Sequence, residues 1–238
     1  MSANRSVLIT GAGRGLGEAL QSAFASDGWT TLPLVRKAEQ SVRLKERWGD
    51  ACVPIVADLS SDRAIATIGK ALAENVQGLD VLINNAGLGG KASRLADVTS
   101  GELLELFEVH CLGALRATKA AAAWLRKPDR AFVINVSSRL GSLARNASGE
   151  FAGRGFSYSY RIAKASQNML TLCLAEEFAG SNVSVFAVHP GKVQTASGSG
   201  DADIAPTVAA ARILRWLGAA EREGSAGFVE PGVGALPW

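Results

Sequence analysis

The chain has 238 residues, of which 47% are apolar and 20% charged, enough to build the core of one α/β domain and too apolar for wholesale disorder. The formal net charge of +3 is spread along the sequence, which argues against nucleic-acid and membrane-surface partners. Cys52, Cys111 and Cys173 are far apart with no CxxC pair, and His110 and His189 are the only histidines, so neither a disulfide framework nor a metal site is expected.

The first apolar run, in "MSANRSVLIT", is four residues long, too short for the apolar region of a signal peptide. No unbroken apolar stretch is long enough to span a bilayer. The expected setting is cytoplasmic, with the thiols reduced.

Short β-branched or aliphatic runs at residues 7–10, 30–35, 53–57, 81–84, 132–136 and 183–188, with a weaker one at 228–229, read as buried strands. Segments of helical periodicity lie between them, at residues 15–26, 38–48, 61–74, 101–125, 158–178 and 206–217. This alternation implies right-handed crossovers and a single-domain, Rossmann-type, doubly wound parallel sheet of about seven strands with helices on both faces. Residues 141–157, "GSLARNASGEFAGRGFS", are too long for an ordinary connection and read as an irregular flap or insertion.

The first strand runs into "TGAGRGLG" and then a helix, the arrangement that cradles a pyrophosphate against free helix N–H groups. A tight turn that needs glycine only for packing is the alternative. The spacing of Gly11, Gly15 and Gly17 resembles that of the short-chain dehydrogenase/reductase family. Further motifs of that family follow in order: "ADLS" at residues 57–60, "NNAG" at 84–87, "INVSSRLGS" at 134–142, Tyr160-x-x-x-Lys164, and "HPGKVQT" at 189–195. The wording around Tyr160, the 141–157 insertion and the closing "AGFVEPGVGALPW" resemble a C-factor-like branch of carbonyl reductases.

The resemblance implies an enzyme that moves a hydride between a nicotinamide and a small carbonyl or alcohol substrate. It places the cofactor on Gly11, Arg14, Gly15, Leu16, Gly17, Asp58, Leu59, Asn85, Ala86, Gly87, Tyr160, Lys164, Pro190, Gly191, Val193 and Thr195. Asp58 corresponds to the residue that accepts from the adenine amino group, although taken alone it reads as a helix N-terminal cap or turn former. The second strand ends "PLVRKAEQ", with Val35 near the position where an NAD-preferring member carries an acid, and Arg36 and Lys37 next. A guanidinium there suits a 2′-phosphate, so NADP(H) is expected over NAD(H).

Tyr160 and Lys164 are four apart and share a helix face, whereas Tyr158 lies about 600° of helical rotation from Lys164 and falls off that face. By resemblance Tyr160 is the general acid/base, Lys164 lowers its pKa and holds the ribose, and Ser138 orients the carbonyl. Bringing a phenol from near 10 to about 7 requires roughly 4 kcal/mol of preferential phenolate stabilisation. His110 stands in "VHCLG", where the family carries asparagine; it either shuttles protons in place of that residue's water relay or packs on its helix. His189 reads as structural. Leu140, Leu143, Phe151 and Val193 suggest an apolar pocket, with Arg145 or Arg154 able to meet an anionic group. The resemblance also implies a homodimer or homotetramer through the two long helices. The alternative from another class is a dinucleotide-binding sensor or signalling protein with little turnover.

Overall fold

The computed structural model describes residues 5–194, 202–220 and 226–238. Among these, eight strands form one sheet in the order β3-β2-β1-β4-β5-β6-β7-β8. They are β1 (Ser6–Thr10), β2 (Thr30–Val35), β3 (Ile55–Val56), β4 (Val81–Asn84), β5 (Ala131–Val136), β6 (Val183–Val188), β7 (Ala226–Glu230) and β8 (Gly234–Ala235). The first seven pair in parallel and β8 returns antiparallel on β7, one strand more than the sequence reading counted. The helices are α1 (Gly15–Ser26), α2 (Ala38–Trp48), α3 (Arg63–Asn75), α4 (Ser100–Phe107), α5 (Gly113–Leu125), α6 (Leu143–Ala147), α7 (Tyr158–Glu177) and α8 (Pro206–Ala220).

Strand side chains alternate between two cores, as pleating requires. Val7, Ile9, Val81, Ile83, Phe132 and Ile134 face Leu20 and Phe24 of α1 and Ile213 and Leu217 of α8. Leu8, Leu82, Val133 and Val185 face Ile68 and Leu72 of α3, Ala117 and Ala121 of α5, and Leu174 of α7. Burial on both faces explains why the strands read as continuous apolar runs. The third strand is shorter than its apolar run, and the Val53 and Ala57 amides on either side of it donate to the Thr31 and Val35 carbonyls of β2.

Two local features place the site. The run at residues 101–125 is not one α-helix: Glu108–Leu112 form a π-turn between α4 and α5, and His110 sits in it. The 141–157 stretch is also more ordered than its composition indicated. A 3₁₀ turn, Arg139–Gly141, leads into α6, capped by Ser142 Oγ, which accepts from the Arg145 amide at 3.1 Å. Phe151 is buried edge-on to Phe156, and the Ala144 amide donates to the Trp238 carbonyl at 2.8 Å, tying this excursion to the C-terminal segment.

Candidate active site

Strand order reverses between β1 and β4, and a cleft of about 1200 Å³ opens over the C-terminal ends of the strands there. Its floor at one end is the turn between β1 and α1. Gly11 and Gly15 have φ of +67° and +57°, which side chains with a Cβ rarely adopt. A Cβ on Gly17 would lie 2.2 Å from the Gly11 carbonyl, so that glycine lets α1 close on its strand. Arg14 offers no side-chain cap, which leaves the first α1 N–H groups directed at the cleft. These features fit a dinucleotide pyrophosphate. Leu16 and Leu59 are buried and line the same end.

Asn85 does structural work here. Its Nδ2 donates to the Thr10 carbonyl at 2.9 Å, and Thr10 Oγ1 accepts from the Asn85 and Ala86 amides, both at 3.0 Å. Thr10 was not singled out in the sequence, where it read as the last residue of a strand. Ala86 and Gly87 line the cleft beyond it.

Arg14, Arg36 and Lys37 line the cleft as well, and all three are exposed. Asp58 is exposed as well. Its carboxyl is held below the usual range, first by the Ser60 backbone amide at 3.0 Å, then by the Ser60 hydroxyl, with Arg36 contributing a smaller positive field. Asp58 therefore serves as a turn former while also lining the cleft.

At the other end the cleft brings together Ser138, Tyr160 and Lys164, 26 residues apart in the chain at most. Ser138 follows β5 and accepts from the Leu140 amide at 3.2 Å. Ser157 Oγ caps α7 by accepting from the Tyr160 amide at 3.2 Å, and so starts the helix that carries both other groups. Lys164 is 4% exposed, with Nζ 5.8 Å from the centre of the Tyr160 ring. The ammonium donates to the Val136 carbonyl at 2.6 Å and to Gln167 Oε1 at 2.9 Å. Burial pushes the Tyr160 phenol up to about 12, opposed by a hydrogen bond with Ser138, and burial pulls Lys164 down to about 7.

Tyr158 is outside the cleft lining; its amide bonds the Ala92 carbonyl and the Arg161 guanidinium lies over its ring. Of the suggested pocket residues, Leu140 and Val193 line the cleft, whereas Phe151 is packed behind it and Leu143 is 67% exposed. Arg145 is held by both oxygens of Glu150 at 2.6 Å, and Arg154 lines the cleft. Pro190 and Gly191 line it too, and the Val193 amide is turned to the Gly191 carbonyl at 3.1 Å. Thr195 lies outside the described residues.

His110 is 2% exposed. Its Nε2 lies 2.8 Å from the Leu88 carbonyl and 3.2 Å from the Leu88 amide, so that either tautomer finds its partner on Leu88, and its ring meets Tyr160 edge-on with centroids 5.5 Å apart. Burial first, then the Lys164 charge, takes His110 down to about 3, against the Leu88 bond. His189, at the end of β6, falls to about 3 through burial, then the charges of Arg139, Arg145 and Lys164.

Both rings remain neutral while unfolded histidine, near 6.5, takes a proton. The unfolded chain then binds more protons, so stability is lost as pH falls from about 6.5 toward 3, by on the order of 1.4 kcal/mol per pH unit for each ring. Denaturant unfolding across that range should show this slope, and His110→Asn with His189→Asn should flatten it. Equal slopes in the native chain and the double variant would refute the assignment.

A family model for short chain dehydrogenase matches residues 5–203. Over 160 residues the chain is 34% identical to C-signal of Myxococcus xanthus, covering 67% of this chain and 93% of that protein. Among solved structures, the carbonyl reductase Sniffer of D. melanogaster superposes with a TM-score of 0.84 at 27% identity, covering 99% of this chain and 100% of that one. A carbonyl reductase from Pseudomonas aeruginosa PAO1 in complex with NADP gives 0.81 at 27% identity, covering 98% and 100%. With the motifs gathered in one cleft and most of the chain matched by the family model, the chain belongs to the short-chain dehydrogenase/reductase family.

Proposed function

We propose that this enzyme is an NADP(H)-dependent carbonyl reductase acting on a small carbonyl or alcohol substrate. The observation that carries the reading is one continuous cleft, with Ser138, Tyr160 and Lys164 at one end and the glycine turn with Arg14, Arg36 and Lys37 at the other. The carbonyl reductase relatives, one of them in complex with NADP, support it.

When bound, the nicotinamide supplies or accepts a hydride at the substrate carbon. Ser138 Oγ orients the substrate oxygen by donating to it. Tyr160 then donates its phenolic proton to that oxygen in reduction, a role that suits a phenol protonated at neutral pH. Lys164 provides the positive charge that stabilises the resulting phenolate and one N–H for the ribose. His110, neutral down to about 3, holds Leu88 in the strand-to-helix loop rather than carrying the proton.

The low-turnover alternative draws on the likeness to a protein named C-signal. Intact Ser138, Tyr160 and Lys164 count against it. The test is NADPH oxidation over a panel of aldehydes, ketones and diketones. A chain that binds NADPH and turns over no member of the panel refutes the reductase reading.

Arg36→Ala tests the cofactor choice. A charge-assisted contact to the 2′-phosphate carries about 1.5–3 kcal/mol, so KM for NADPH should rise roughly ten- to a hundredfold while that for NADH stays unchanged. Equal losses with both cofactors would remove Arg36 from phosphate recognition.

A further inference from the structure

Lys164 and its acceptors sit above a buried polar seam that the reaction as derived does not use. Asn84 Nδ2 donates to Asn135 Oδ1 at 2.8 Å, Asn135 Nδ2 to Thr171 Oγ1 at 2.9 Å, and Thr171 Oγ1 to the Gln167 carbonyl at 2.9 Å. Gln167 is 1% exposed, one helical turn beyond Lys164, and its Oε1 is 2.9 Å from Nζ. A neutral amide this deeply buried, with its oxygen aimed at the ammonium, is more than filler. Glycine crowding fixes the lysine's backbone: a Cβ on Gly141 would lie 2.8 Å from the Lys164 carbonyl carbon and Cβ, so the 3₁₀ turn presses directly on that residue.

We propose that Gln167 is a positioning residue for catalysis: its side-chain oxygen, together with the Val136 carbonyl, holds Lys164 charged and aimed so that Tyr160 can give up its proton. An ammonium has three N–H donors, and Val136 and Gln167 take two. One remains for the ribose. The fork also keeps the group protonated where burial works against it, because hydrogen bonds to a charged form favour that form.

The groups that face Lys164 are few. Tyr160 is on its own helix, while His110 on the π-turn and His189 at the end of β6 are both neutral above about 3. Among the described residues no carboxylate is bonded to Nζ, so the two oxygens are its principal stabilisers. The kinetic consequence rests on the reductase reading above; the state of Lys164 does not.

The test is the pH titration of Lys164 by carbon NMR of chain labelled at the lysine ε-carbon, the resonance being the one lost in Lys164→Arg. Gln167→Leu should move the midpoint down by roughly one to two pH units, the size of a hydrogen bond to a charged group. Gln167→Glu should move it up. With a carbonyl substrate at saturating NADPH, the pH at which kcat/KM declines should move in the same two directions. A folded Gln167→Leu chain whose Lys164 titrates at the native pH overturns the proposal. Should that variant not fold, an unmoved midpoint in Gln167→Glu overturns it equally. Shifted midpoints in a chain without turnover support the hydrogen-bond fork and refute the reductase reading instead.

Discussion

Tyr160→Phe is expected to lower kcat/KM for NADPH-dependent carbonyl reduction by roughly 10²- to 10⁴-fold, the range that a positioned general acid contributes. The substitution removes one oxygen and leaves the ring, so the edge-on contact with His110 and the Ser157 cap on the Tyr160 amide survive. NADPH binding, measured by fluorescence, should therefore persist. Tyr158→Phe is the matched control: its phenol is outside the cleft, and the rate should be unchanged. Loss of activity in the Tyr158 variant with retention in the Tyr160 variant would reverse the assignment of acid and bystander.

Lys164→Met has two consequences of opposite sign. Turnover should fall by at least as much as in Tyr160→Phe, because both the field on the phenol and the ribose contact are lost. The variant should nevertheless be the more stable protein in acid. Lysine titrates near 10.5 unfolded and about 7 when buried here, so the unfolded chain binds more protons between those values and stability falls as pH drops from 10.5 to 7. Below about 7 the cost is present in full, on the order of several kcal/mol, less the two hydrogen bonds to Val136 and Gln167. Thermal unfolding should show a gain for Lys164→Met that is largest below pH 7 and shrinks toward alkaline pH. A difference that does not vary with pH would mean that Lys164 is not buried as a charge. The trade is common at functional sites, where a group is kept in an unfavourable setting for the reaction it performs.

Much of the cleft was legible because its parts are local. Gly11, Gly15 and Gly17 announce themselves by backbone demands within seven residues, and Tyr160 and Lys164 by one helical turn. Strand runs at residues 30–35, 81–84 and 183–188 coincide with β2, β4 and β6, since double-sided burial leaves an uninterrupted apolar signature. What failed to show was the short or the distant. β8 has two residues and no apolar run, and its pairing with β7 is decided by the turn between them. The π-turn around His110 has the same helical periodicity as its flanks, so only backbone geometry reveals the extra residue.

The sequence alone determined the alternation of strand and helix, the order of the motifs and the placing of Tyr160 and Lys164 on one helix face, because each depends on neighbours a few residues apart. Tertiary structure decided the rest. Thr10 became the clamp on the end of β4, Asn85 its partner, and Gln167 the acceptor of the Lys164 ammonium, contacts made across strands or into a shared interior. The charge on His110 likewise depends on what surrounds it in space. Its sequence neighbours leave it near 6.5, and burial between Leu88 and Tyr160 takes it to about 3, since desolvation is set by what surrounds a group in space.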